Sequence, residues 1–212
     1  LDDFITISYV AQNHVYKFFT LTHELYLKKI SQNINSKKNL KKIDSTAILV
    51  LQNGKFFKGL GLGYHGTATG EVCFNTSITG YQEIMSDPSY AHQIVNFTFP
   101  HIGNVGANNE DNETANPDQE IHISGIITHS YIEKPSNYRS ESTLSEWMRD
   151  RKITGISGVD TRYVTKLIRD EGMMSCLIEH RHDGIFDIPK LLKILENVKK
   201  MEGLDLASEA ST

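Results

Sequence analysis

Short apolar and β-branched runs recur along the chain from residue 46 onward, and their length and composition predict strands rather than helices. The first run, Thr46–Leu51, is almost continuously apolar. Asn53 and Gly54 follow it as the pair typical of a tight hairpin turn, so Lys55–Gly59 is predicted to return as the second strand. Further strands are predicted at Glu71–Asn75, Gln93–Thr98, Ile121–Thr128, Ile153–Val159 and Ser175–Glu179.

Three later segments carry the capping signals of helices. Thr143 and Glu146 form the pattern of a capping box, which predicts a helix over the residues that follow them. Asp160 is a suitable N-cap for a helix over 161–171, where apolar residues recur at helical spacing. A third helix is predicted over 189–200, because this segment opens with a proline and continues with apolar residues on one face.

The order of the elements, strands first and helices later, predicts an α+β fold, with a layered β/β/α domain favoured over a doubly wound sheet. We expect a single domain over 46–212, preceded by an N-terminal extension at 1–45. Residues 106–120 are predicted to form a loop, because they hold acidic residues, asparagines and a proline without one large apolar residue.

The extension at 1–45 carries seven lysines against four acidic residues. Most of these lysines lie among polar residues without an acidic partner, which favours a flexible, solvated segment. It contains no arginine, so a nucleic-acid-binding arm is disfavoured.

The composition of the whole chain, with 39% hydrophobic residues, 23% charged residues and a net charge of −4, is typical of a soluble globular protein. No apolar run approaches the ~18 residues of a membrane span, and the acidic start is unlike a secretory signal. We therefore expect a cytoplasmic protein that does not bind a membrane.

The two cysteines are the first candidates for chemistry. Cys73 and Cys176 lie in apolar strand contexts and form no CxxC pair, which predicts buried thiols in a reducing compartment. Neither cysteine is flanked by the small residues of a nucleophile elbow. From its residues alone, the chain is expected to lack a catalytic centre of its own.

Gly61, Gly63 and Gly66 match the dinucleotide-binding pattern G-x-G-x-x-G. The residues after them predict a strand instead of the helix that such a site requires, so a glycine-rich bend between strands is favoured. The nine histidines show no metal-ligand spacing, and we expect no metal site. The carboxylates of residues 110–113 lie in the polar loop, where solvation explains them better than acid–base chemistry does.

One long stretch points to a family. Gly70–Tyr90 reads GEVCFNTSITGYQEIMSDPSY and closely resembles the small chain of glutamine-hydrolysing carbamoyl-phosphate synthase. The resemblance continues at Gln93–Asn108 (QIVNFTFPHIGNVGAN), Ile156–Gly172 (ISGVDTRYVTKLIRDEG) and Gly203–Glu209 (GLDLASE), so that it covers roughly residues 46–212.

The resemblance implies a cytoplasmic small subunit that supplies ammonia from glutamine to a large synthetase subunit. The large subunit would combine the ammonia with bicarbonate and ATP, giving carbamoyl phosphate for arginine and pyrimidine synthesis. It further implies that this half is a swivelling β/β/α domain that helps dock the large subunit. No cofactor is expected on this domain, whereas ATP and a divalent metal are expected on the large subunit.

The resemblance assigns no catalytic residue to this chain, since the family's cysteine nucleophile elbow is expected beyond Thr212. The chain alone is therefore expected to hydrolyse no glutamine. The alternative is a stand-alone binding or regulatory module without a glutaminase half, whose basic extension docks a partner.

One binding residue follows from the resemblance: Ser89 matches the serine of the family's DPSY motif and is expected to contact glutamine. A hydroxyl can donate to a carboxylate or accept from an ammonium group. From the residues alone, a turn serine after Pro88 is the simpler interpretation. Gly80 and Tyr81 are expected to be structural, with a close backbone approach at the glycine and the tyrosine packed in the core.

Overall fold

The fold is described from a computed structural model for residues 45–113 and 123–198. Outside this part of the chain lie the expected extension apart from Ser45, the end of the polar loop, the start of the strand predicted at Ile121–Thr128, and the motif Gly203–Glu209. No helix among the described residues combines the length and the apolar character needed to cross a bilayer.

The described residues form seven strands, each of which overlaps a predicted one. They are β1 (Ala47–Leu51), β2 (Phe56–Gly63), β3 (Gly66–Asn75), β4 (Gln93–Phe97), β5 (Gly125–Ile127), β6 (Thr154–Ser157) and β7 (Met174–His180). Strands β2 and β3 are longer than predicted, because Gly61, Gly63 and Gly66 all belong to them. The glycine-rich segment is therefore mostly strand, and its turn is confined to Tyr64 and His65.

The strands pair in the order β1-β2-β6-β5-β4-β3-β7, and β7 pairs with β1, so the sheet closes into a barrel. Three pairings among the described strands are parallel: β3 with β4, β4 with β5, and β5 with β6. The remaining pairings are antiparallel. The predicted mixture of helices and strands is confirmed. The layered β/β/α arrangement is not confirmed, because the strands pair around a closed ring, which leaves no unpaired edge.

Four α-helices are present in the described part: α1 (Tyr81–Ser86), α2 (Leu144–Asp150), α3 (Thr161–Glu171) and α4 (Ile188–Glu196). The capping box of α2 is confirmed. The Thr143 hydroxyl accepts from the Glu146 N–H at 3.2 Å, and the Glu146 carboxylate accepts from the Thr143 N–H at 2.9 Å. Asp160 caps α3 as predicted, and α4 begins one residue before Pro189, with Asp187 as its cap.

Helix α1 and the 3-10 turn Pro88–Tyr90 that follows it were not predicted. Helix α1 has six residues, and Gly80 precedes it without a side-chain cap. A helix this short, without a capping residue, has too little periodicity to be recognised in a sequence.

The core lies on both faces of the barrel strands. Ala47, Leu49 and Leu51 of β1 join the apolar cluster that includes α3, whereas Ile48 and Val50 join the cluster that includes α4. A further cluster packs α1 and α2 against β4 and β5. Burial on both faces explains why the sequence of β1 is continuously apolar rather than alternating.

Candidate functional site

Ser89 lies in the 3-10 turn Pro88–Tyr90, between α1 and β4. Asp87 caps this turn, since its carboxylate accepts from the Ser89 N–H at 2.8 Å. The Ala91 N–H donates to the Pro88 carbonyl at 3.0 Å. Ser89 is exposed, and within the described residues its hydroxyl makes no hydrogen bond. The turn thus presents a hydroxyl that can both donate and accept.

The Tyr90 side chain fastens this turn to the end of β3. Its hydroxyl oxygen accepts from Asn75 Nδ2 at 3.0 Å, and its partly buried ring packs against the cluster that contains α1. Asn75 is the last residue of β3, and its carbonyl accepts from the Thr98 N–H at 3.0 Å. The sequence does not predict this contact; its one signal is that Asn75 and Tyr90 both lie in the long motif Gly70–Tyr90.

Helix α1, on the other side of the turn, is held by the two residues expected to be structural. Gly80 has a φ of 73°, in the left-handed region that glycine tolerates best. A Cβ on Gly80 would meet no atom closer than 3.6 Å, so the expected close approach is wrong and the backbone conformation is the reason for glycine. Tyr81 is buried as expected, its hydroxyl donates to the Gly106 carbonyl, and burial raises its pKa.

The described part of the polar loop, residues 106–113, is fixed against α1. Gln82 Nε2 donates to the Asn108 carbonyl at 2.6 Å, and Gln82 Oε1 accepts from the Asn108 N–H at 3.1 Å. The Asp111 carboxylate accepts from Asn108 Nδ2 at 2.8 Å and lies 2.7 Å from Arg139 Nη2. These contacts, that with Asn108 first, lower the pKa of Asp111. The prediction that solvation explains the acidic residues of this loop is therefore wrong for Asp111, whose contacts help to hold the loop in place.

A cavity of about 210 Å³ lies between α1 and this loop, with Thr79, Glu83 and Arg139 in its lining. The Arg139 guanidinium is already paired with Asp111 and Glu110. An anionic ligand in this cavity would therefore meet an Arg139 side chain whose charge is already largely neutralised.

Three histidine rings meet beside the turn between β2 and β3: His65 lies in this turn, His180 ends β7 and His182 follows it. The centroid of the His65 ring lies 3.9 Å from that of His180 and 3.4 Å from that of His182. His180 Nδ1 lies 3.1 Å from the Tyr64 carbonyl oxygen. A Cβ on Gly61 would lie 2.0 Å from His180 Cδ2, so glycine is needed there to admit the ring. The packing of the His180 ring against β2 therefore accounts for Gly61. A phosphate-binding role at a helix N-terminus is not needed to explain this glycine.

Burial lowers the pKa of His180 to about 4, and the neighbouring His65 adds to this effect. Burial, followed by His182, also lowers the pKa of His65. Both rings are consequently neutral near pH 7. Over residues 45–113 and 123–198, no group of three or more His, Cys, Asp and Glu side chains is arranged to hold a metal ion.

Neither cysteine has the environment of a nucleophile. Cys176 in β7 is fully buried and Cys73 in β3 is half-buried, so the prediction of a buried thiol is confirmed for Cys176 and too strong for Cys73. Burial raises the pKa of Cys73 to about 11 and also raises the pKa of Cys176. Because the thiolate is the reactive form, these raised pKa values disfavour nucleophilic reaction of either thiol near pH 7.

Comparison with known proteins indicates one family. The sequence model described as "Carbamoyl-phosphate synthase small chain, CPSase domain" matches residues 49–178, a range that includes Asn75, Ser89 and Tyr90. The chain is 48% identical over 167 residues to the carbamoyl phosphate synthase small chain of Mesorhizobium japonicum, which covers 79% of this chain and 42% of that protein.

Two further relatives carry the same name. The protein of Bradyrhizobium diazoefficiens is 50% identical over 161 residues, covering 76% of this chain and 41% of the relative. That of Bartonella tribocorum is 47% identical over 181 residues, covering 85% of this chain and 46% of the relative. The chain thus spans less than half the length of each of these curated relatives.

Proposed function

Because the chain belongs to the carbamoyl-phosphate synthase small-chain family, we propose that it is the docking half of a glutamine-dependent carbamoyl-phosphate synthase small subunit. The complete small subunit releases ammonia from glutamine. A large subunit, which carries ATP and a divalent metal, combines the ammonia with bicarbonate to form carbamoyl phosphate. The observation that carries this proposal is the family match over residues 49–178.

The proposal places the protein in the cytoplasm, in glutamine metabolism that feeds arginine and pyrimidine synthesis. The swivelling, layered arrangement implied by the family is part of the same proposal. In this arrangement the domain contributes a docking surface and one glutamine contact, and it binds no cofactor itself.

The glutamine contact that we propose is the hydroxyl of Ser89. Three features support this role: Ser89 is exposed, its backbone is fixed by the Asp87 cap, and its hydroxyl has no competing hydrogen bond within the described residues. A hydroxyl held in this way can bind the carboxylate or the ammonium group of an amino acid with little loss of conformational entropy.

Replacement of Ser89 in the complete small subunit, assembled with its large subunit, tests this contact. Ser89→Ala is expected to raise the KM for glutamine about tenfold, since the hydrogen bond to a charged substrate group is lost. With ammonia as the nitrogen source, synthesis should proceed at the wild-type rate. Ser136→Ala is a matched control at another exposed serine. An unchanged KM for glutamine in Ser89→Ala would contradict the proposed contact.

We also propose that the 212-residue chain by itself hydrolyses no glutamine. The unreactive environments of Cys73 and Cys176 support this statement. Ammonia release from glutamine by the purified chain, persisting after both cysteines are replaced by alanine, would contradict it. The alternative function, a stand-alone binding module, predicts that the chain has no effect on a synthetase large subunit.

A further inference from the structure

Asn75 and Tyr90 form a side-chain hydrogen bond that joins the end of β3 to the turn carrying Ser89. The two ends of the Asn75 amide are both used. Its Oδ1 accepts from the Ser77 N–H at 2.7 Å, and its Nδ2 donates to the Tyr90 hydroxyl at 3.0 Å. Because the amide oxygen is already committed to a backbone donor, the orientation of the amide follows from its partners.

Asn75 is itself firmly placed. It is paired with Phe97 in the parallel ladder between β3 and β4. Its carbonyl accepts from the N–H of Thr98 at 3.0 Å and from the Thr98 hydroxyl at 3.3 Å. The amide that donates to Tyr90 is thus attached to the ends of two hydrogen-bonded barrel strands, β3 and β4.

Tyr90 adjoins Ser89 in the chain, and its backbone closes the turn, since the Tyr90 N–H donates to the Asp87 carbonyl at 3.1 Å. The Tyr90 ring packs against the apolar cluster that contains α1, so the side chain is held at its ring as well as at its hydroxyl. Ser89 itself makes one hydrogen bond within the described residues, from its N–H to the Asp87 carboxylate, and its side chain is exposed. The position of the Ser89 backbone therefore depends on how the adjoining Tyr90 is anchored.

We infer that Asn75 and Tyr90 are positioning residues that set the Ser89 hydroxyl for glutamine. This inference rests on the proposed function, in which Ser89 contacts the substrate. The Asn75–Tyr90 hydrogen bond ties the exposed turn to the end of β3, so that the backbone carrying the Ser89 hydroxyl is held in place before glutamine arrives. Such preorganisation lowers the entropic cost of binding.

The test uses the complete small subunit assembled with its large subunit. Tyr90→Phe removes the hydroxyl and keeps the packed ring. Asn75→Ala removes the donor to Tyr90 and also the acceptor of the Ser77 N–H. Tyr90→Phe is expected to raise the KM for glutamine about threefold to tenfold, the effect of one lost hydrogen bond, while kcat with saturating glutamine is retained. Asn75→Ala is expected to raise the KM at least as much, because the bond to Ser77 is lost as well. The double variant should show no larger increase than Asn75→Ala alone, because the bond that Tyr90→Phe removes is already lost in Asn75→Ala. Tyr138→Phe, at a tyrosine that is 96% exposed, is the matched control and should leave the KM unchanged.

Ser89→Ala, measured in parallel, separates the two proposals. If Ser89→Ala raises the KM and Tyr90→Phe does not, the positioning role is refuted while the glutamine contact stands. If Ser89→Ala leaves the KM unchanged, the proposed contact itself is refuted, and a raised KM in Tyr90→Phe would then show that Tyr90 acts without Ser89. Multiplicative effects of Tyr90→Phe and Asn75→Ala in the double variant would also overturn the inference, since a shared bond cannot be lost twice.

Discussion

Replacing Gly61 by alanine tests whether the glycine-rich segment serves strand packing. The added Cβ would lie 2.0, 2.2 and 2.4 Å from Cδ2, Nε2 and Cγ of His180. The ring has little freedom to move, because its Nδ1 lies at the Tyr64 carbonyl and its face lies against His65. Forcing a methyl group into a packed site costs about 1–3 kcal/mol. The restricted unfolded state of alanine offsets about 0.4–1 kcal/mol of this cost. We expect a net loss of roughly 1–2 kcal/mol, or about 2–8 °C in Tm.

Urea unfolding of the purified chain measures this loss as a change in the free energy of unfolding. Gly66→Ala is a control from the same motif: its Cβ would lie 3.1 Å from the exposed ring of Tyr64, which can move, so we expect a change within about 0.5 kcal/mol. In a His180→Ala background the cost of Gly61→Ala should vanish, because the obstructing ring is gone. Equal losses in the two glycine variants, or a cost that persists without the ring, would refute the packing argument.

Three further predictions concern pH, thiol reactivity and helix capping. His180 has a pKa of about 4 in the folded chain and regains the ordinary value of about 6.5 on unfolding, so the unfolded state binds more protons between these values. Its contribution to stability is therefore complete above about pH 7 and is lost as the pH falls toward 4, with a slope of up to about 1.4 kcal/mol per pH unit. His180→Gln should flatten the dependence of the free energy of unfolding in urea on pH. Parallel curves for the two proteins would contradict the prediction. Cys176 should resist an aromatic disulfide reagent until the chain unfolds, because it is fully buried with a raised pKa, and rapid labelling of both Cys73 and Cys176 in the native chain would contradict this. Thr143→Ala should lower the free energy of unfolding by about 1 kcal/mol, whereas Thr143→Ser should retain most of it because serine also caps helices; equal losses would show that the capping hydroxyl contributes nothing.

Elements with local signals could be predicted from the sequence. The apolar run of β1, the capping box at Thr143 and the cap at Asp160 each specify their structure within a few residues, and all three are confirmed. Helix α1 carries no such local signal, because it is short and follows Gly80, which has no side chain to cap it.

Closure of the barrel depends on pairings between distant segments. Leu60 of β2 pairs with Ser157 of β6, and Ala47 of β1 pairs with His180 of β7. No local pattern encodes such a register, so the sequence predicted strands and a layered arrangement without the ring. The long strands around Gly61 escaped prediction for the same reason, since the glycine is explained by the ring of His180 from β7.

The candidate site was predicted in part. Ser89 followed from the resemblance to the family, and the structure places it on an exposed turn, where its role in binding glutamine stays a prediction. The hydrogen bond between Asn75 and Tyr90 could not be predicted, because it links a strand end to a turn through side chains of ordinary types. The sequence does not reveal the pairing of Asp111 with Arg139, because these two residues lie in separate segments of the chain.

The central claim is that this domain docks a synthetase large subunit, and complex formation tests it most directly. The 212-residue chain is mixed with the large subunit from the same organism and separated by size exclusion, with the mass measured by light scattering. The account predicts co-elution at the mass of one copy of each protein. Separate elution of the two proteins at micromolar concentration would contradict it.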